Sequence, residues 1–168
     1  VAVHIVHLYP ETLGLFGDAG NVLALRKRCE WFGVDDVRVS PVSRGAVIPS
    51  DGDVYVIGSG SSNSVRLAAE GISALRDALD AAVARDATIL AAGAGLHLLG
   101  NSIAWPDGSR TQGAAILDAE SVPLTTRLVG EFVGQAQGIG VAGFFNTGHR
   151  VDSNLPAHII SVAMGDAS

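Results

Sequence analysis

Residues 89 to 100 have the sequence ILAAGAGLHLLG, and this stretch decides the fold. An aliphatic run typical of a strand is followed by small residues and then by the start of a helical segment. Small residues on both sides of such a turn let a strand pass into a helix where the backbone is strained and close-packed. The stretch therefore predicts a sharp strand-to-helix turn centred on Gly93.

Strand and helix patterns alternate in the part of the chain that precedes this turn. Runs of β-branched and aliphatic residues predict strands at Val1–Leu8, Val37–Val42, Asp53–Ile57 and Thr88–Ala91. Helical spacing predicts two helices, Val22–Phe32 with the stripe Val22, Leu25, Cys29 and Phe32, and Val65–Val83 with the stripe Ile72, Leu75, Leu79 and Val83. Because a parallel crossover needs a covering helix, this alternation predicts a mostly parallel sheet between helices, in the α/β class.

The second half of the chain has a different pattern, with short β-rich segments between turn residues. They are Ala114–Leu117, Thr126–Phe132, Ile139–Phe145 and His158–Ala163. We expect extra, partly antiparallel strands attached to the same domain. The chain of 168 residues shows neither a repeat nor a linker, which predicts one domain over residues 1–168.

Composition narrows the classes of partner. The formal net charge of −6 provides no broad basic field for nucleic acid or an anionic membrane, so we expect a small molecule or another protein. A single cysteine excludes a disulfide framework. The sequence contains no apolar run of about 20 residues, as a membrane span requires, and does not open with a basic segment followed by a hydrophobic one. We therefore expect a cytoplasmic protein.

Three glycine-rich segments, at residues 14–21, 58–64 and 93–95, follow predicted elements at the edge where parallel α/β sheets bind ligands. Each is also compatible with a plain tight turn. The segment GSGSSNS offers N–H groups and hydroxyls for a carboxylate or phosphate, but Asn63 replaces the third glycine of a dinucleotide fingerprint. The candidate ligand-binding residues are Gly58, Ser59, Gly60, Ser61, Asn63, Gly93, Ala94, His97 and Asn146.

The turn at Gly93 has the residue pattern of a nucleophile elbow, yet its centre has no side chain. Cys29 belongs to a predicted apolar stripe and is expected to be structural. The other residues that could act in catalysis have no second catalytic side chain evident beside them in the sequence. They are Ser59, Ser61, Ser62, His97, His149, Asp18 and Asp118. No metal-ligand spacing is present and no cofactor is expected.

Residues Leu8 to Gly33, LYPETLGLFGDAGNVLALRKRCEWFG, closely resemble the opening of the CobB/CobQ-type class I glutamine amidotransferases. Within that family they are most similar to the small amidotransferase subunit that works with a Mur-ligase-like, ATP-dependent partner on lipid II in cell-wall synthesis. The segments ILAAGAGLHLLG, GAAILD, TRLVGE and GFFNTGHR resemble later landmarks of the family. The resemblance implies a flavodoxin-like sheet flanked by helices, and an ancestral activity that releases ammonia from glutamine.

The departures from the family pattern fall where that chemistry takes place. The family's nucleophile segment is approximately ILAICGGYQLLG, so Gly93 occupies the cysteine position, Leu96 the tyrosine position and His97 the glutamine position. Ser59 replaces a glycine of the loop that helps to form the family's oxyanion hole.

Two later segments also differ. The family motif GFENHGGR has become GFFNTGHR, with Phe145 in place of an acidic residue and Thr147 in place of a histidine. The family's catalytic histidine lies in a turn resembling YLHG, which has no counterpart up to Ser168, and His158 does not match it.

Amide hydrolysis by this route needs a thiolate and a base, and glycine supplies neither. The leading hypothesis is therefore a catalytically silent amidotransferase-like domain that docks to a Mur-ligase-like partner. A second hypothesis is an active glutaminase subunit that supplies ammonia to such a partner, with another nucleophile and with its histidine on a further C-terminal segment. A third is a module that binds a small polar ligand such as glutamine in the emptied cleft.

Overall fold

The computed structural model describes residues 2–136, 138–154 and 161–165 and has an α/β architecture. A first sheet of four parallel strands has the order β2-β1-β3-β4. Its strands are β1 (Ala2–Leu8), β2 (Asp36–Val42), β3 (Val54–Ile57) and β4 (Thr88–Ala91), and its helices are α1 (Pro10–Leu13), α2 (Asp18–Trp31), α3 (Ser62–Ala69), α4 (Ile72–Val83) and α5 (Ala94–Leu99). The mostly parallel sheet and the four strands predicted from the sequence are confirmed to within a residue.

The central strands β1 and β3 are buried on both faces, as their largely apolar sequences require, whereas β2 and β4 are partly exposed. On one face, Val6 and Ile57 pack with residues of α3, α4 and α5, including Leu79 and Leu98. On the other face, Ile5 and Val56 pack against Val22 of α2. Since successive side chains of a strand point to opposite faces, β1 supplies both cores with neighbouring residues.

A second, mixed sheet follows the fifth helix and contains the extra antiparallel strands that the sequence predicted. It has the order β6-β5-β7-β8, with β9 paired to β7. Its strands are β5 (Ser102–Ala104), β6 (Arg110–Gln112), β7 (Ala119–Ala136), β8 (Ile139–Ser153) and β9 (Ser161–Gly165). Ile103 and Trp105 belong to the same hydrophobic cluster as α5, so the second sheet packs on the end of the first unit.

The long helix predicted over Val65–Val83 is wrong, because the chain forms two helices that separate at Glu70 and Gly71. Glycine costs about 1 kcal/mol in a helix interior, and the second helix starts from this residue. Leu75 and Leu79 are fully buried as predicted, whereas Val83 is exposed and Ala82 is buried instead. The side chain of Ile72 lies outside the described part of the chain.

Two further sequence predictions need correction. Phe32 ends α2 and is exposed rather than part of the buried stripe. The predicted strand Ala114–Leu117 is an irregular segment, because its N–H groups bind carbonyls at the end of α5: Ala114 binds Leu98, and both Ile116 and Leu117 bind Leu99. The first residues of the predicted strand His158–Ala163 lie outside the described residues, and the rest falls in β9.

Candidate functional site: a cleft at the strand ends

A cleft of about 550 Å³ lies beyond the carboxyl ends of β3 and β4 and extends to β7 and β8. This is the edge at which open α/β sheets bind ligands. Its walls come from the loop before α2, the loop after β3, the elbow after β4, and the second sheet. The lining residues are Phe16, Asp18, Asn21, Ser59, Gly60, Ser61, Ser62, Val65, Ala92, Gly93, Ala94, His97, Ile103, Trp105, Arg127, Asn146, Thr147, Gly148 and His149.

The turn between β4 and α5 is the elbow that the sequence predicted. Gly93 has φ 51° and ψ −118°, a backbone conformation that L side chains rarely adopt. The helix begins at once, with Gly95 N donating to Ala92 O at 3.0 Å and Leu96 N donating to Gly93 O at 3.1 Å. The elbow therefore presents backbone, and no side chain at its centre, to the cleft.

Ser59 fixes the loop after β3 against the elbow. Its backbone N donates to Asp18 Oδ2 at 3.0 Å, and its Oγ accepts a hydrogen bond from Ala94 N, also at 3.0 Å. Asp18 is 2% exposed and also accepts a hydrogen bond from Asn21 Nδ2 at 3.3 Å. One buried carboxylate and one hydroxyl thus tie the start of α2, the loop and the start of α5 together.

Two histidines form the wall opposite the serine loop. The rings of His97 and His149 have centroids 5.5 Å apart, and Trp105 packs edge-on against His149 at the same separation. His97 Nδ1 lies 2.6 Å from Ser121 Oγ, and His149 Nε2 donates to Ala104 O at 3.1 Å. Burial, with a smaller effect of the neighbouring His149, lowers the pKa of His97 to about 4, so this ring is neutral at physiological pH.

Replacing His97 by glutamine is expected to weaken the acid sensitivity of the fold. Because the pKa of His97 falls from 6.5 to about 4 on folding, the unfolded chain takes up this proton first. The stability that neutral His97 contributes is therefore complete above pH 6.5 and is lost as the pH falls towards 4.

Thermal melting of the wild type and of His97→Gln across this range measures the difference. Burial also lowers the pKa of His7, but that effect is common to both proteins and cancels in the comparison. Parallel pH profiles for the two proteins would contradict the assignment.

Arg127 and Asn146 form a polar wall on the paired strands β7 and β8. Arg127 Nε donates to Asn146 Oδ1 at 2.6 Å, and a second guanidinium nitrogen donates to the Asn146 carbonyl at 3.3 Å. Among the described residues, the ion pairs do not include Arg127. Its positive charge is therefore available to an anionic group in the cleft.

The structure brings seven of the nine candidate ligand-binding residues to the cleft. They are Ser59, Gly60, Ser61, Gly93, Ala94, His97 and Asn146. Gly58 does not line the cleft. A Cβ on Gly58 would lie 2.5 Å from the carboxyl carbon of Asp18, so this glycine permits close packing. Asn63 is exposed in the first turn of α3 and does not line the cleft either.

Sequence reasoning missed the walls that the second sheet supplies. Trp105 and Arg127 line the cleft, and only the pairing of β5, β7 and β8 brings them near the elbow. Asp18 and Asp118 were expected to have no partner; Asp18 binds Ser59 N, and Asp118 accepts hydrogen bonds from two asparagine side chains. Cys29 is half-buried and does not line the cleft.

Two properties of the described residues bear on the kind of site. They contain no group of three or more His, Cys, Asp or Glu side chains placed to hold a metal ion. In the same part of the chain, every helix is too short or too polar to cross a membrane.

Comparison with known families supports the resemblance found in the sequence. Residues 4–158 match the model of the CobB/CobQ-like glutamine amidotransferase domain, which covers most of the chain. The chain belongs to this family. The first sheet and its flanking helices are consistent with the flavodoxin-like fold expected for class I amidotransferases.

Two relatives place this amidotransferase domain near the GatD group. The chain is 32% identical, over 148 residues, to subunit GatD of the glutamine-hydrolyzing lipid II isoglutaminyl synthase of Staphylococcus aureus (strain N315). It is 27% identical, over 131 residues, to the GatD subunit of Streptococcus pneumoniae (strain ATCC BAA-255 / R6). These alignments cover 87% and 77% of this chain, and 60% and 50% of the respective relatives. The chain thus spans between half and three fifths of the length of either GatD protein.

Proposed function

We propose that this amidotransferase-like domain is non-catalytic and acts as a partner-binding or regulatory subunit. Gly93 carries the proposal, because it stands at the centre of the elbow where the family pattern has a cysteine. An amide carbonyl in the cleft meets no thiol there, and in another hydrolase the loss of the nucleophile costs about 10⁶ in turnover.

The neighbourhood of the elbow supports the same reading. His97 replaces the glutamine of the family pattern, and its low pKa keeps the ring neutral beside His149. The cleft has a volume of about 550 Å³, small residues at the elbow and a polar wall. A cleft with this lining and without a thiol at the elbow supports binding rather than hydrolysis.

The end of α2 supports a docking role. Trp31 and Phe32 are 77% and 80% exposed, an unusual position for two large apolar side chains in sequence. Arg26 and Lys27 both pair with Glu30 on the same helix, so one carboxylate faces two cations and the surface beside the aromatic pair keeps a net positive charge. The partner that the family resemblance suggests is a Mur-ligase-like, ATP-dependent enzyme, which would cover these aromatic side chains.

The decisive experiment mixes the protein with a Mur-ligase-like enzyme from the same source and measures both complex formation and ammonia release from glutamine. We expect a complex and no ammonia above that of the buffer. Trp31→Ser should weaken the complex by about tenfold or more, as the loss of an interface aromatic typically does. Val47→Ser is the matched control, since Val47 is 92% exposed in a loop remote in sequence from α2.

Each readout contradicts a different part of the proposal. Ammonia release, or covalent labelling by a glutamine-like electrophile, would show an active glutaminase with another nucleophile. The absence of a complex would overturn the docking role.

A small-molecule role is the second candidate, and the free charge of Arg127 favours it. The cleft volume of about 550 Å³ lies within the range of about 300–1,000 Å³ usual for ligand sites. A rise in melting temperature with glutamine or glutamate, lost in Arg127→Ala and kept in Arg150→Ala, supports this role. The control is matched because Arg150 pairs with Asp152 at 2.8 Å and does not line the cleft.

A further inference from the structure

We infer that Ser59 and Gly93 form an interlocked pair, in which the serine side chain occupies the space that any side chain on residue 93 needs. This inference extends the proposed function, and it rests on that proposal only in taking the elbow at Gly93 to be non-catalytic. It predicts that a cysteine at position 93 does not by itself rebuild a reactive elbow in this protein.

The geometry of the pair is tight. A Cβ added to Gly93 would lie 2.7 Å from Ser59 Oγ and 2.9 Å from Ser59 Cβ. The most favourable distance between non-bonded carbon atoms is about 3.5–4.0 Å, so both contacts are repulsive. Within 4 Å of that Cβ position, apart from the chain neighbours of Gly93, the structure places no other atoms than these two.

The backbone of Ser59 has little freedom to move away. Its N–H binds Asp18 Oδ2 at 3.0 Å, its carbonyl accepts a hydrogen bond from Leu15 N at 3.3 Å, and it forms an isolated parallel bridge with Gly14. Rotation about χ1 can turn the hydroxyl aside, but it leaves Cβ where it is. The conflict with the Ser59 Cβ therefore persists in every rotamer.

The hydroxyl also occupies a hydrogen-bond donor of the elbow. Ala94 N–H belongs to the residue after the elbow centre, and in elbow hydrolases this N–H binds the developing oxyanion. Here it donates to Ser59 Oγ at 3.0 Å. Ser59 thus fills the space that a nucleophile at position 93 needs and occupies the N–H that would bind the oxyanion. Glycine at position 59 would free both the space and the N–H.

The test uses Gly93→Cys, Ser59→Gly, and the double variant, all in a Cys29→Ser background so that residue 93 carries the only thiol. The strained φ of 51° at residue 93 affects the single and the double cysteine variants equally, so their difference isolates Ser59. The melting temperature is measured for each variant, and the rate of alkylation by iodoacetamide is measured for the two that carry Cys at position 93.

We expect Gly93→Cys to lower the melting temperature by about 4–10 °C, since each kcal/mol of strain shifts it by about 2–4 °C in a chain of this size. Adding Ser59→Gly should recover at least half of that loss and raise the alkylation rate about tenfold or more, because the thiol gains space and the Ala94 N–H favours its thiolate. Ser59→Ala with Gly93→Cys should be intermediate, because the hydroxyl is gone but Cβ remains.

Equal melting temperatures and equal alkylation rates for Gly93→Cys with and without Ser59→Gly would overturn the interlock. If a cysteine variant does not fold, the same cycle with Gly93→Ala measures the steric coupling without a thiol, and additive effects there overturn the interlock as well. These readouts use no glutamine and no partner. They are therefore distinguishable from a failure of the proposed function, which appears as ammonia release or loss of the complex with the wild-type chain.

Discussion

Replacing Gly95 by alanine is expected to destabilise the protein by about 3 kcal/mol or more, or to prevent folding. Gly95 lies in the first turn of α5, against the end of β3. An added Cβ would lie 2.5 Å from the Ile57 carbonyl oxygen and 2.8 Å from that of Gly58. Both obstacles are backbone atoms of a buried strand end, so a rotamer change cannot relieve them and the helix has to move off the sheet.

Gly20→Ala is the matched control for this prediction. Gly20 lies in α2 and is exposed, and among the described residues outside its own helix no atom lies within 4 Å of the position where its Cβ would lie. Alanine there should stabilise the helix by about 0.5–1 kcal/mol, since it reduces the entropy of the unfolded chain. Urea unfolding followed by circular dichroism measures both. A Gly95→Ala protein as stable as the wild type would show that α5 does not pack on β3 as described.

Removing the Asp18 carboxylate by Asp18→Ala is expected to lower the free energy of unfolding by about 2–3 kcal/mol. The side chain is 2% exposed and accepts a hydrogen bond from Ser59 N–H at 3.0 Å. Without the carboxylate, the Ser59 N–H has no side-chain acceptor at this position. Asp18→Asn keeps an oxygen at the same place and should lose less than the alanine variant.

The control is Asp118→Ala, which removes a carboxylate of the same type from an exposed position. Asp118 also accepts two hydrogen bonds, from Asn101 at 3.0 Å and Asn154 at 3.1 Å. Because water can replace that acceptor for both asparagines, the loss of stability should be clearly smaller than for Asp18→Ala. Chemical denaturation of the four proteins decides the point, and equal losses at the two positions would refute the role given to Asp18.

The central strands β1 and β3 of the first sheet were predictable because they are buried on both faces and therefore appear as largely apolar runs. Ile5 and Val6 illustrate this, since they face opposite cores and both are fully buried. The elbow was predictable for a related reason: a strand and a helix packed this closely leave room only for small residues such as Gly95.

What sequence reasoning missed depends on contacts between segments distant in the chain. The N–H groups of residues 114 to 117 looked free to pair in a strand, but the carbonyls at the end of α5 take them. The polar and aromatic walls of the cleft depend on which strands of the second sheet pair, and local patterns do not encode that choice.

The hydrogen bonds between α5 and residues 114 to 117 lead to an expectation about the order in which the protein assembles. A helix of six residues is far below the length at which helices are stable alone, about 12–15 residues. Its last carbonyls acquire their donors only from chain that follows it by more than ten residues, after β5 and β6 have been made. A nascent chain ending soon after residue 100 would contain the four parallel strands but neither the donors for the end of α5 nor the walls from β7 and β8, so we expect the cleft to form late.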